Sequence, residues 1–210
     1  METHLIEEKR QLLKALLPHV PFDGWSAKAL AAAAKDSGMD AGMAARVFPN
    51  GAAEALDFWV RETDAAMLAA LEAQDLSALK IRERIAAAVM TRLELVAPHR
   101  EAVRRALALE AQPHQAPRLL GQLYRSVDAI WYAAGDTATD LNFYSKRLLL
   151  AGVYGATLLY WLEDKSEGFS ATRAFLLRRI DDVMRIQKLR GQLEKAAARL
   201  PNPFRFLRRA

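Results

Sequence analysis

The chain contains no cysteine. Disulfides, thiolate zinc sites, iron–sulfur clusters and cysteine nucleophiles are therefore excluded, and a reducing compartment is permitted. Its 210 residues hold only ten glycines and eight prolines. That is too few for a disordered or linker-rich chain, so each one marks a specific break. Long hydrophobic runs are missing too. The longest uncharged stretch, "LLLAGVYGATLLYWL" (148–162), falls short of the roughly 20 residues that cross a bilayer and carries two glycines, a threonine and two tyrosines. It reads as a buried central helix. The opening "METHLIEEKR" has no basic n-region with an apolar core, and no Arg/Ser-rich, acid-poor transit pattern, so no targeting segment is expected.

Catalytic signatures are equally scarce. The four histidines (His4, His19, His99, His114) stand far apart, and none belongs to an HExxH or carboxylate-x-x-His pair. There is no Gly-rich phosphate loop and no GxSxG elbow. "RRIDD" (178–182) reads as a solvated or ion-paired helix face. The expectation is a non-catalytic protein with no metal and no catalytic cofactor.

What the chain does have is 52% hydrophobic and 26% charged residues, enough for one large domain with a proper core. Net charge is +5, unevenly placed. From Arg185 to Ala210 eight Lys/Arg face a single glutamate, a net +7, which leaves −2 for the other 184 residues. A basic tail on a slightly acidic body points to an anionic surface as its partner.

The hydrophobic period is helical throughout, and no segment alternates convincingly as a strand. Helices are predicted over about 5–17, over "SAKALAAAAKDSG" with Ser26 as N-cap and Gly38 as stop, and over the short "DAGMAARVF". Further helices are predicted at about 52–73, 79–97 and 99–111, then from Pro117 to the Gly135 stop, and from Thr139 or Asp140 to Glu163. Two more, capped by Ser170 and broken near Arg185, cover about 170–184 and 186–199. The fold class is all-α, with about nine or ten helices. The second and third have helix-turn-helix spacing, and the following "RVFPNGAAEALDFWV" resembles the entry of TetR-family repressors into their long fourth helix. That resemblance implies a ligand pocket and dimerisation through the last helices.

A DNA reader needs Arg, Lys, Asn or Gln on its recognition helix. "DAGMAARVF" offers one arginine beside Asp40, so the helix-turn-helix is expected to be degenerate and not to bind nucleic acid. The division expected is 1–50 for this part, 51–184 for a ligand-binding and dimerisation domain, and 185–210 for a basic amphipathic tail. In that tail Ile186, Leu189 and Leu193 form a 3.6-residue stripe, and Arg199, Phe204, Arg205, Phe206, Leu207 and Arg208 follow. Basic, amphipathic and aromatic together suit the headgroup layer of an anionic membrane. A dimerisation helix with a basic end, or an RNA-binding arm, would use the same residues.

"DAIWYAAGDTATDLNFYSKR" (128–147) crowds one helix junction with aromatic and charged residues. Adjacent Trp131 and Tyr132 cannot both face one core stripe, so at least one is expected at the surface. Ringed by Asp136, Asp140, Asn142, Tyr144, Lys146 and Arg147, they have the composition of a partner-docking patch with a polar rim. A plain core tryptophan and an Asp140 helix cap is the other reading. On the helix after the junction, Gly152 and Gly155 leave room for a lipid chain or a close helix neighbour. Leu149, Gly152, Val153, Ala156 and Tyr160, with Leu120, Leu123 and Val127 of the preceding helix, are the candidate lipid-pocket lining.

Here a specific resemblance emerges. Residues 107–184 resemble the core of the Coq-nine family, lipid-binding accessory proteins of ubiquinone biosynthesis. The motifs are Ala-Gln-Pro at 111–113, Ile-Trp-Tyr-x-Ala-Gly-Asp-x-x-Thr-Asp-x-Asn-x-Tyr-x-Lys-Arg at 130–147, and Arg-Arg-Ile-Asp-Asp-Val-Met at 178–184. "GWSAKALAAAAKDSGM" and "RVFPNGAAEALDFW" match its N-terminal half. The resemblance implies a TetR-like homodimer without DNA binding and an apolar pocket for an isoprenoid quinone or its precursor. It also implies a membrane-touching C-terminal helix and a di-iron hydroxylase of the Coq-seven type as partner. With no transit sequence in view, the expected location is the bacterial cytoplasm, peripheral on the inner face of the plasma membrane. The alternative function is a TetR-type ligand-responsive regulator.

Overall fold

The computed structural model describes residues 2–74, 76–135 and 141–198, with side chains for 4–74, 76–135 and 145–185. These residues form ten α-helices and no strand. In order they are α1 (Glu2–Leu16), α2 (Val20–Asp23), α3 (Ala27–Asp36), α4 (Ala41–Val47) and α5 (Ala52–Glu72). Then come α6 (Ile81–Val96), α7 (Arg100–Glu110), α8 (Ala116–Ala133), α9 (Leu141–Trp161) and α10 (Ser170–Ala198). Single 3-10 turns stand at Ala97–His99, Pro113–Gln115 and Glu167–Phe169.

Local chemistry explains most boundaries. Ser26 caps α3, its Oγ accepting from the Ala29 N–H at 3.1 Å. Gly38 leaves the helix at φ +73°, a left-handed stop that costs glycine little. Asp40 caps α4 through the Met43 N–H at 2.7 Å. Gly135 ends α8 at φ +81°, and a Cβ there would approach Arg84 Nη1 to 3.2 Å. That arginine donates to the Ala134 carbonyl and to the Ser77 carbonyl, binding the end of α8 to the start of α6.

Three features differ from the sequence expectation. The short α2 was not foreseen, because Pro18 and Pro21 read only as stops; Pro21 in fact sits in its first turn, where no N–H is required. Ser170 does not cap the following helix. Asp164 and Ser166 do so from the preceding loop, accepting from the Thr172 N–H at 2.9 Å and the Ala171 N–H at 2.9 Å. The two helices predicted at the C-terminal end are one, since α10 runs unbroken from Ser170 to Ala198. No proline lies between Ser170 and Ala198, and a change of hydrophobic stripe alone does not interrupt backbone hydrogen bonding.

The core is continuous through the described helices. Leu12, Leu16, Val20, Ala33, Val47 and Phe48 pack α1 to α4 together, while Leu56, Met67, Leu93, Val127, Ile130 and Trp161 fill the larger bundle. Trp25 locks the two parts to each other. It packs on Trp59 with ring centroids 5.4 Å apart and donates from Nε1 to the Ala102 carbonyl at 3.0 Å. None of these helices is long and apolar enough to cross a membrane.

Candidate ligand-binding site

At the centre of the bundle lies a buried polar knot. Arg92 of α6 donates from Nε to Asp64 Oδ1 of α5 at 2.7 Å, from Nη2 to Ser126 Oγ of α8 at 3.0 Å, and from Nη1 to the Tyr154 hydroxyl of α9. Ser126 completes the ring by donating to Asp64 Oδ2 at 3.0 Å. Four helices are thus joined by one guanidinium. Burial pulls the Arg92 pKa down, but Tyr154 and Asp64 outweigh it, so the guanidinium stays charged. Breaking such a buried pair by removing one partner is costly, because the other charge is left without compensation. Sequence reasoning missed this cluster, because its members are scattered across four helices and nothing local announces them.

Two cavities open among these helices. The peripheral one, about 240 Å³, lies where α6, α8, α9 and α10 meet. Four residues singled out from the sequence line it together: Trp131 and Lys146 from the expected docking patch, and Leu149 and Val153 from the expected lipid lining. Ile85 of α6 and Ile180 of α10 face them. Lys146 Nζ stands 5.7 Å from the centroid of the Trp131 ring, a cation–π contact. Trp131 is half-buried and packed on the core, whereas Tyr132 is 71% exposed. One aromatic in and one out is what their adjacency on a helix requires.

Arg147 is buried and paired with Asp128 of α8, Nε to Oδ1 at 2.7 Å, so it ties α9 to α8. Asp136 and Asp140 lie outside the described residues, as do Arg199, Phe204, Arg205, Phe206, Leu207 and Arg208. The side chains of Asn142, Tyr144, Ile186, Leu189 and Leu193 lie outside them as well.

The remaining lining candidates divide. Leu123 faces a second, central cavity, and Val127 is fully buried in the core between helices. Leu120 is 63% exposed, and Gly152 and Ala156 sit on the outer surface. Tyr160 is stacked on Phe175 of α10 with ring centroids 4.5 Å apart. A Cβ on Gly152 or Gly155 would meet nothing within 4 Å, so neither glycine serves a close approach inside this chain. With exposed Leu148 and Leu159, Gly152 and Ala156 instead form an apolar stripe along the outside of α9. Helical periodicity groups these residues along one side of α9, but the fold divides them, with Leu149 and Val153 at the cavity and Gly152 and Ala156 outside.

The central cavity, about 90 Å³, lies among α5 to α9, with Arg92, Ser126 and Tyr154 of the knot in its wall. Its walls are mostly apolar, and Glu110, the last residue of α7, is set into them.

The helix order, the α3–turn–α4 pair and the long helices around a buried centre define a TetR-like all-α protein. Among solved structures the chain is similar to the TetR transcriptional regulator from Nitrosomonas europaea, with a TM-score of 0.70 over 83% of this chain and 97% of that one. At 22% identity that likeness is one of fold. In sequence the chain is similar to the COQ9 family. Residues 116–187 match the family. Along 95% of its length the chain is 34% identical to the mitochondrial ubiquinone biosynthesis protein COQ9 of Bos taurus and 33% identical to that of Homo sapiens. It is 36% identical to COQ9-A of Xenopus laevis over 84% of its length. The chain spans 65% of the bovine and human proteins and 57% of the frog one.

Proposed function

We propose that this protein binds an isoprenoid lipid of ubiquinone biosynthesis at a membrane surface and presents it to the pathway hydroxylase, catalysing no reaction itself. The observation that carries the reading is the peripheral cavity, where Trp131, Lys146, Leu149 and Val153 converge. An aliphatic chain suits walls of Ile, Leu, Val and Met, while Lys146 and Arg82 at the lining provide for a polar head. Helix α10 contributes Ile180, Val183 and Met184 to that lining and continues to Ala198, toward the basic, aromatic tail. One helix therefore joins the cavity to the segment that suits an anionic membrane. Exposed Tyr132 next to the cavity is the centre of the docking surface for the hydroxylase, of the di-iron Coq-seven type. The Leu148–Gly152–Ala156–Leu159 stripe on α9 is the face through which two copies pair.

A DNA-binding role fits less well. The outward residues of α4 are Ala41, Gly42, Ala45 and Arg46, a single cation with nothing else to read base edges.

The test is organic extraction and mass spectrometry of lipid co-purifying with the protein from its own host. It should be paired with Val153→Trp, which fills the peripheral cavity. A stoichiometric isoprenoid species lost in the variant supports the reading. Only scattered phospholipid, unchanged by Val153→Trp, counts against it.

A further inference from the structure

The central cavity holds the one carboxylate that the polar knot does not use. Glu110 is 3% exposed, and its Oε1 is buried without a hydrogen-bond partner among the described residues. Five other polar side chains of that lining are engaged. Thr63 donates to the Trp59 carbonyl at 2.8 Å, Gln122 Nε2 to Asp57 Oδ1 at 2.6 Å, and Arg92, Ser126 and Tyr154 belong to the knot. An orphaned buried acceptor costs on the order of 1–3 kcal/mol, so a carboxylate kept there calls for an occupant that supplies the missing bond. Around it the walls are apolar, with Leu56, Val96, Val103, Ala106 and Leu123 among them. Half-buried Val60, Leu107, Leu119 and Leu158 bring the cavity up to the surface.

We propose that the central cavity is a second ligand site, separate from the peripheral one. It takes a small uncharged ring bearing a hydroxyl, with that hydroxyl donating to Glu110 Oε1. An anion would face the carboxylate directly. A ring without the hydroxyl would leave Oε1 as it stands. At about 90 Å³ the cavity is smaller than the apolar cavity of about 150 Å³ that takes benzene, so a ring enters only if half-buried Leu107, Leu119 and Leu158 give way. This inference does not depend on the lipid assigned to the peripheral cavity.

Phenol and toluene have nearly the same shape and differ in the hydroxyl, so they are the probes. Binding to the full-length protein is followed by titration calorimetry and by NMR of the central methyl groups. At pH 8, where Glu110 has released its proton, phenol should bind the native protein at least about tenfold more tightly than toluene, as expected for one charge-assisted hydrogen bond. Glu110→Leu should bring the two to parity. Glu110→Gln, which keeps volume and an acceptor oxygen, should retain part of the preference and serves if the leucine variant does not fold. Val153→Trp should leave phenol binding unchanged. Equal binding of phenol and toluene to the native protein, no binding of either, or a preference that survives Glu110→Leu would overturn the proposal.

Discussion

Glu110 also makes the stability of the protein depend on pH in a calculable way. Burial pushes its carboxyl from the ordinary 4.5 up to about 7; the charge of Asp57 adds to the rise, while Gln122, Arg118 and Arg125 oppose it. Between those two values the folded chain holds a proton that the unfolded chain has released. The contribution is therefore fully present below about pH 4.5 and lost as pH rises through about 7. At about 1.4 kcal/mol per pH unit the whole gap is worth at most about 3.5 kcal/mol, and solvent screening near the end of α7 cuts it to about 2 kcal/mol. Glu110→Gln removes the titration while keeping the shape. Urea unfolding of both proteins at pH 5 and pH 8 isolates this group, because all other titrations cancel in the difference. The variant should gain about 2 kcal/mol over the native protein between the two pH values. A difference that stays constant across this range would show that Glu110 is not held protonated by burial, and would refute the reasoning.

Three further outcomes are expected. Arg92→Leu strands Asp64 in the core and should cost about 3–5 kcal/mol, while Arg92→Leu with Asp64→Leu should recover much of that loss in a thermal or urea double-mutant cycle. Asp164 caps α10: burial would raise its pKa, but hydrogen bonds from Thr172 and Ser166 outweigh it and bring it to about 2. Its contribution is present above about pH 4 and lost as pH falls toward 2, so Asp164→Ala should cost about 1–2 kcal/mol at pH 7 and flatten the acid limb of stability. Tyr132→Ala should leave stability within about 0.5 kcal/mol yet abolish capture of the purified di-iron hydroxylase, whereas Trp131→Ala should cost about 2–3 kcal/mol by opening the cavity wall. Retained capture by Tyr132→Ala would move the docking surface elsewhere.

The Trp131–Tyr132 pair shows why the docking and pocket residues were only half separable in advance. From the sequence they belong to one patch, and Leu149 and Val153 to another set. In the fold, Trp131 turns inward beside Leu149 and Val153, so the 128–147 junction and the peripheral cavity share a wall. Arg147 reads as a surface cation in the motif and is instead a buried partner of Asp128.

Sequence by itself determined the helical class, the starts and stops at Ser26, Gly38 and Gly135, the absence of cysteine chemistry, the polarity of the tail and the family motifs. These follow from local backbone preferences, capping side chains and composition, which act over a few residues and need no tertiary partner. Tertiary structure alone decided which side of α8 and α9 looks inward, that α10 passes Arg185 unbroken, and that Arg92 meets Asp64, Ser126 and Tyr154. It alone set Glu110 in an apolar wall. A 3.6-residue period names a face of a helix but not the neighbour packed against it, and a buried ion pair is settled only when helices distant in the chain are brought within hydrogen-bond reach.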